Sequence, residues 1–260
     1  MTALDNAVEA FLRQGIVKIP NALDFGSGTL LNTWREEVAL GLSNTPPGLV
    51  APTPTKKVVL SEVAPDLWAL CEALLGGHDA VEDAWLTNGP VANIGPNLEQ
   101  AFGWHIDGDF FRHFINSPEQ GLLMIVLWTD VNVSSGPTQV ILDSIGPIAR
   151  ALNANPEGVW QMDLPYNEIV SDSQGAAPIV GQAGDVFLMH PFVVHSASPK
   201  LDPGIRLISN PVVRRKYPFD LRDGGDCPVA QFTLSQLEGA ELNVPRTQKD
   251  GWVLPPRMTR

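Results

Sequence analysis

The sequence predicts a mainly β protein with flanking helices, and three patterns support this fold class. Leu4, Val8 and Phe11 recur at helical spacing in the N-terminal third, and Gly15 stands where a helix would end. From Ala80 onward, short apolar runs alternate with clusters of glycine, proline and asparagine, which is typical of strands joined by turns. Hydrophobic residues form 44% and charged residues 18% of the 260 positions, which indicates an ordinary globular protein with a sizeable core.

Two more helices and one short strand are predicted before residue 80. Ile16 to Pro20 predicts a strand, and a second helix is expected from about Thr29 to Leu42. A third helix is expected from Pro65, because proline suits the first turn, to Leu75, where Gly76-Gly77 ends it. Between these helices, residues 45–55 are rich in proline and predict an irregular, mobile loop near the functional site.

The rest of the chain predicts a β-barrel. The very apolar run from Gly121 to Trp128 is typical of a buried strand. Residues 145–153 predict a helix across one end of the barrel, and residues 235–242 predict a weaker helix in the polar tail. A helical part packed on a double-stranded β-helix, the jelly-roll or cupin-like barrel, accommodates these elements best. We expect one domain over residues 1–260, with a helical part at about 1–78, a barrel core at about 79–213 and a C-terminal extension at 214–260.

Charge and cysteine content narrow the classes of partner. The net charge is −12, and an acidic surface repels phosphate groups and anionic lipids, so neither nucleic acid nor a membrane is an expected partner. Cys71 and Cys227 are too isolated for a disulfide framework or a zinc motif. We expect a cytoplasmic protein, because no secretory signal and no membrane-spanning run is recognised. The sequence carries no pattern from which an oligomeric state follows.

The most informative motif is His105-Ile106-Asp107. On a strand, side chains two residues apart point to the same side, so this His and Asp can bind one metal ion. His195, on a distant strand, would supply a third ligand. Two imidazoles and one carboxylate with an open opposite face are the ligand set of non-heme Fe(II) oxygenases. Arg206, eleven residues after His195, can bind a carboxylate co-substrate through its planar guanidinium.

Two other histidines are expected to stay out of the metal site. His190 lies five residues before His195, so strand alternation would place the two side chains on opposite faces. His113 is flanked by phenylalanines, which favours packing or a substrate contact.

These four positions resemble the phytanoyl-CoA dioxygenase family of Fe(II)/2-oxoglutarate oxygenases. The family carries a His-x-Asp, a second His and an Arg at the spacing seen in His105, Asp107, His195 and Arg206, and the resemblance runs from roughly residue 16 to residue 213. It implies three iron ligands, with 2-oxoglutarate and O2 as co-substrates. It also implies that Arg206 holds the distal carboxylate of 2-oxoglutarate, assisted by the hydroxyls of Thr138 and Ser196.

The expected activity is hydroxylation, or a related desaturation or cyclisation, of an unactivated C–H bond in a small organic substrate, with release of succinate and CO2. Asp107 disfavours a halogenase, because its carboxylate occupies the coordination position that a halide would need. Trp104, Asp109, Phe110 and Arg112 flank the motif and are expected to line or rim the substrate cavity.

Two alternatives stay open at this point. One is a metal-dependent, cupin-like isomerase or dioxygenase that does not use 2-oxoglutarate. The other is a non-catalytic binding barrel that has retained the metal ligands. Strict dependence of turnover on 2-oxoglutarate would distinguish the expected oxygenase from the first alternative. Succinate production would distinguish it from the second.

Overall fold

The computed structural model describes residues 2–98 and 103–243. Its helices are α1 (Ala3–Gln14), α2 (Leu30–Gly41), α3 (Leu60–Val63), α4 (Pro65–Leu75), α5 (Ile145–Asn153), α6 (Tyr166–Asp172) and α7 (Pro228–Ser235). Short 3-10 turns lie at His78–Ala80, Leu142–Ser144, Gln161–Asp163 and Arg222–Gly224. The strands are β1 (Ile16–Ile19), β2 (Gly48–Val50), β3 (Pro90–Asn97), β4 (Arg112–His113), β5 (Leu122–Leu127), β6 (Gln139–Ile141), β7 (Val159–Trp160), β8 (Ala177–Pro178), β9 (Val186–Met189), β10 (Val194–Ser196), β11 (Lys200–Ser209) and β12 (Val212–Val213).

The strands form antiparallel sheets. The large sheet has the order β1-β9-β5-β11-β3-β2, and β12 pairs with β5. A second sheet has the order β10-β6-β8, and β4 pairs with β7. The predicted fold class, mainly β with flanking helices, is therefore confirmed. In the part of the chain that the structure describes, the sheets stay separate and do not close into one continuous hydrogen-bonded barrel.

Local chemistry explains where the predicted helices begin and end. Thr2 and Asp5 form a reciprocal capping box at the start of α1, which satisfies two of the unpaired N–H groups of the first turn. Gly15 ends α1 with φ of 69°, a left-handed conformation that glycine adopts without steric cost. α4 begins at Pro65 and ends at Gly76, as the sequence predicts.

The core is centred on β5, in which all six residues are buried. β9, β11 and β12 flank this strand, so both of its edges are paired. The following residue, Trp128, packs on Trp34 of α2 with ring centroids 4.3 Å apart, and its Nε1 donates to Ser209 Oγ at 2.8 Å. Each large apolar side chain buried here stabilises the fold by about 1.5–3 kcal/mol.

Two predictions of secondary structure were wrong, one for a loop and one for a helix. Within the proline-rich segment 45–55, Gly48–Val50 forms β2, because its backbone pairs with the edge of β3. The helix predicted at residues 235–242 lies earlier, at Pro228–Ser235. Pro228 occupies the first turn of this helix, and Phe232 packs edge-on against Phe11. Glu238 has a φ of 53°, which is incompatible with a continuing helix.

Among the described residues, no helix combines the length and the apolar character needed to cross a bilayer. Cys71 and Cys227 are both buried, and within the described residues neither forms a disulfide.

Candidate active site

The site begins with a backbone contact between two histidines. His105 and His195 form an isolated antiparallel bridge, in which each backbone N–H donates to the other residue's carbonyl, at 3.0 and 2.8 Å. The sequence placed His105 and Asp107 together on a strand, but only His105 has strand-like pairing. Gly108 follows with φ of 108°, and a Cβ there would lie 2.4 Å from the ring of Phe111. The chain therefore turns directly after Asp107.

Three potential metal ligands converge despite this irregular backbone. One ligand atom from each of His105, Asp107 and His195 lies within 4.8 Å of the other two. The Oδ1 of Asp107 is 3.7 Å from His105 Nε2 and 3.4 Å from His195 Nε2. Ligand atoms bound at about 2.1 Å to one metal ion are separated by about 3 Å, so a small shift would bring these atoms onto one ion.

Hydrogen bonds set the tautomer of each imidazole. His105 Nδ1 lies 2.7 Å from the Gly103 carbonyl and His195 Nδ1 lies 3.1 Å from the Val193 carbonyl. A carbonyl only accepts, so both Nδ1 atoms carry the proton and both Nε2 atoms offer a lone pair. His195 Nε2 is buried and has no hydrogen-bond partner among the described residues. The donor set therefore fits a metal ion bound through both Nε2 atoms.

Electrostatics favour the ligand forms of Asp107 and His105. Burial raises the pKa of Asp107, but the neighbouring imidazoles outweigh this effect and hold the pKa below its ordinary value. Burial, together with the proximity of His195, lowers the pKa of His105. Burial also opposes protonation of His195, but the Asp107 carboxylate raises its pKa overall. The Asp107 carboxylate thus favours a positive charge on or beside the His195 imidazole. A metal ion can supply this charge in place of a proton.

Two side chains that the sequence did not single out hold the peptide between the ligands. The N–H of Ile106 donates to Tyr166 Oη at 3.3 Å, and Gln161 Nε2 donates to the Ile106 carbonyl. Both side chains line the same cavity as the ligands, and burial raises the pKa of Tyr166 to about 12. Because these contacts span about sixty residues, no local sequence pattern could have revealed them.

Arg206 lies in β11 and is only 2% exposed. Burial lowers the pKa of its guanidinium to about 10, and no acidic group among the described residues offsets this effect. Its Nε also has no hydrogen-bond partner within that part of the chain. A buried guanidinium without an acidic partner is costly, so the site favours an anionic ligand.

One cavity of about 750 Å³ connects these groups. Thr138 and Ser196 line it together with the three ligands and Arg206, as do Trp104 and Asp109. The co-substrate residues implied by the resemblance therefore share one chamber with the ligand cluster.

The remaining predicted contacts lie elsewhere. Phe110 lines a neighbouring chamber and is 47% exposed. Arg112 lines neither chamber, and its Nη2 donates to the Gly158 carbonyl at 2.8 Å beside the β4–β7 pair.

His113 and His190 stay outside the ligand cluster, as predicted. His113 Nε2 donates to the Gly108 carbonyl at 2.8 Å. His190 Nε2 donates to Thr233 Oγ1 at 2.9 Å, and its Nδ1 accepts from the N–H of Phe192 at 3.2 Å. Burial lowers the pKa of His113 to about 4 and that of His190 to about 3, so both are neutral.

The sequence matches one known protein family. The sequence profile of the family described as Phytanoyl-CoA dioxygenase (PhyH) matches residues 49–208, a span that contains the three ligands and Arg206. No curated protein matches the sequence.

Two solved structures illustrate the similarity of fold. The epimerase SnoN in complex with Fe3+, alpha ketoglutarate and nogalamycin RO aligns with a TM-score of 0.56 and 18% identity, over 94% of this chain and 96% of that chain. A second structure of SnoN, described as a non-heme alpha ketoglutarate dependent epimerase from nogalamycin biosynthesis, aligns with a TM-score of 0.52, at the same identity and coverage. At 18% identity, these alignments show a shared fold.

Proposed function

The chain belongs to the phytanoyl-CoA dioxygenase family, and from this membership we propose how its residues perform the chemistry of an Fe(II)/2-oxoglutarate-dependent oxygenase. The enzyme acts on an unactivated C–H bond of a small organic substrate by hydroxylation, desaturation or cyclisation. The observation that carries the assignment is the convergence of His105, Asp107 and His195 on the cavity that also contains the buried Arg206.

His105, Asp107 and His195 would hold the iron through the two Nε2 atoms and a carboxylate oxygen. Arg206 would bind the distal carboxylate of 2-oxoglutarate. This carboxylate would be the anionic partner that the buried guanidinium lacks among the described residues. Thr138 and Ser196 line the same cavity, and the Thr138 hydroxyl could donate a hydrogen bond to that carboxylate. Ser196 Oγ, which donates to the Ala197 carbonyl at 3.2 Å, would have to exchange this bond to do the same. When bound, iron and 2-oxoglutarate would supply reductive activation of O2, coupled to oxidative decarboxylation of 2-oxoglutarate to succinate and CO2.

The protein's own contribution is orientation of the proposed ligands. Tyr166 and Gln161 fix the peptide of Ile106, which holds the His105 and Asp107 side chains in register. The reciprocal bonds between His105 and His195 keep the two imidazoles on one side of the cavity.

We also propose that the sheets form a double-stranded β-helix, or jelly roll, in a single domain. The small sheet carries His195 in β10, and the large sheet carries Arg206 in β11. Both side chains line one cavity, which supports two sheets facing each other across the active site.

A turnover assay tests the proposed function. Protein supplied with Fe(II), 2-oxoglutarate and O2 should release succinate slowly by itself and faster with a substrate, and release should stop when any component is omitted. Substrate turnover that continues without 2-oxoglutarate would instead favour the cupin-like isomerase or dioxygenase.

A further inference from the structure

Asp107 differs from the other two proposed ligands in how its backbone is held. His105 and His195 exchange backbone hydrogen bonds, and His195 also belongs to β10. Asp107 lies in a bend outside any strand or helix. The direction of its carboxylate therefore depends on the contacts that fix the residues immediately before and after it.

The residues on either side of this bend are both held by side chains. Before the bend, Tyr166 and Gln161 contact the N–H and the carbonyl of Ile106. After the bend, Nε2 of His113 donates to the Gly108 carbonyl at 2.8 Å. His113 therefore holds the backbone that follows the bend, as the other two side chains hold the backbone that precedes it.

The backbone of Gly108 also packs against two buried rings. Its φ of 108° is a conformation that glycine adopts without steric cost. A Cβ at this position would lie 2.4 Å from the ring of Phe111 and 3.0 Å from Cε1 of His113. These two rings pack on each other with centroids 4.4 Å apart, and His113 is 3% exposed. The ring that donates to the Gly108 carbonyl is therefore itself held in place.

One two-stranded sheet carries contacts on both sides of the bend. His113 lies in β4, where its backbone pairs with Val159 of β7. Gln161, whose Nε2 donates to the Ile106 carbonyl, follows directly after β7. The β4–β7 pair therefore links the contact before Asp107 to the contact after it.

We propose that His113 is a positioning residue for the metal site, because its Nε2 fixes the Gly108 carbonyl and with it the direction of the Asp107 carboxylate. This proposal rests on the proposed function, since Asp107 has to bind iron for its direction to matter. A histidine that only filled the core would need its ring and not its donor. Side chains that orient metal ligands from outside usually contribute about 10- to 100-fold to metal affinity. Loss of the His113 donor should therefore weaken metal binding as well as lower stability.

Three substitutions of His113 separate the donor from the ring. His113→Phe keeps a ring but leaves the Gly108 carbonyl without its donor. His113→Gln keeps an N–H that can reach the position of Nε2, whereas the shorter side chain of His113→Asn cannot reach it. Ser117→Ala is the matched control, because Ser117 is buried in the same segment and accepts a hydrogen bond from the N–H of Phe114 rather than contacting Gly108.

Titration of each protein with Ni(II) measures the metal affinity, and circular dichroism checks the fold. Ni(II) is the probe because such ligands bind it more tightly than Fe(II), so weak binding by the variants is measurable. The dissociation constant should rise about 10-fold in His113→Phe and His113→Asn, and should stay within about 3-fold of the parent in His113→Gln and Ser117→Ala. In the Asp107→Ala background, His113→Phe should change the dissociation constant by less than about 3-fold, because the carboxylate that His113 positions is already absent.

Unchanged affinity in His113→Phe would overturn the proposal, and so would an equal loss in His113→Gln. A further loss of about 10-fold in the Asp107→Ala background would show that His113 does not act through Asp107. If His113→Phe does not fold, the difference between His113→Asn and His113→Gln decides. A normal loss in Asp107→Ala without any effect of His113→Phe rejects the positioning role alone, whereas unchanged affinity in Asp107→Ala rejects the metal site and the proposal with it.

Discussion

His105 and His195 are ninety positions apart in the chain, yet their backbones exchange two hydrogen bonds of 3.0 and 2.8 Å. Their ring centroids lie 4.5 Å apart as a result. The geometry of the ligand cluster is therefore fixed mainly by the backbone. Removal of one ligand side chain should leave the surrounding structure in place.

Replacement of a proposed ligand should abolish iron binding without unfolding the protein. His105→Ala or Asp107→Ala removes one of three ligands, and we expect affinity for Fe(II) to fall by more than about 100-fold. Iron stoichiometry after gel filtration measures this loss, and circular dichroism checks the fold. His78→Ala is the matched control, because His78 is exposed and pairs with Glu72. Full iron occupancy in both ligand variants would contradict the metal site.

Arg206→Leu should weaken 2-oxoglutarate binding selectively. Loss of the charge-assisted hydrogen bonds, worth about 1.5–3 kcal/mol, should raise the KM for 2-oxoglutarate about 10- to 100-fold while iron affinity stays unchanged. The free energy of unfolding without 2-oxoglutarate should fall little, because the variant removes a buried cation that has no acidic partner in the described structure.

Arg222→Ala controls for the loss of a charge, since Arg222 is exposed and pairs with Asp220. A large loss of stability in Arg206→Leu, combined with an unchanged KM for 2-oxoglutarate, would show that Arg206 is a structural residue.

Tyr166→Phe tests the contact that holds Ile106. The variant removes the acceptor of the Ile106 N–H but keeps the ring, so it should lower kcat or Fe(II) affinity about 10-fold, as loss of an outer partner of metal ligands usually does. The KM for 2-oxoglutarate should change little. Tyr217→Phe is the control, because Tyr217 is 43% exposed and does not line the cavity. Equal kinetics in both variants would contradict a positioning role.

His190 should make the protein less stable in acid. Burial lowers the pKa of His190 from 6.5 to about 3, so the unfolded chain binds this proton more readily than the folded protein does. The contribution of neutral His190 is complete above pH 6.5 and is lost as the pH falls toward 3. The slope from this one group is at most about 1.4 kcal/mol per pH unit.

Urea unfolding at several pH values, in the parent protein and in His190→Gln, measures this contribution. The glutamine variant should be less stable at pH 7.5, because it disturbs the contacts with Thr233 and Phe192, but its stability should change less between pH 6.5 and 4. Parallel curves for the two proteins would show that His190 does not titrate as described.

Regular elements were predictable where local chemistry decides them. Gly15, Pro65 and Gly76 mark helix ends through their own backbone preferences, and the structure places helix ends there. The helix at residues 235–242 was misplaced because packing decides that segment. Phe232 contacts Phe11, more than two hundred residues away, and no local pattern reports such a contact.

The candidate site also divides into residues that a local sequence pattern predicts and residues that only the fold brings together. The convergence of His105, Asp107 and His195 beside Arg206 was predictable, because these residue types at this spacing are typical of a metal site with a carboxylate co-substrate. Gln161 and Tyr166 were not, since their contacts with Ile106 depend on which distant residues the fold brings together. The contact of Arg112 with the Gly158 carbonyl was not predictable either, because proximity in sequence to the metal motif does not determine where a long side chain points.

The central claim is that iron and 2-oxoglutarate bind together at His105, Asp107 and His195 beside Arg206. The most direct measurement is the anaerobic visible spectrum of the purified protein during addition of Fe(II) and then of 2-oxoglutarate. A weak metal-to-ligand charge-transfer band should appear only when both are present, and should be absent in Asp107→Ala. Tight iron binding without such a band would contradict chelation of 2-oxoglutarate and leave Arg206 as a structural residue.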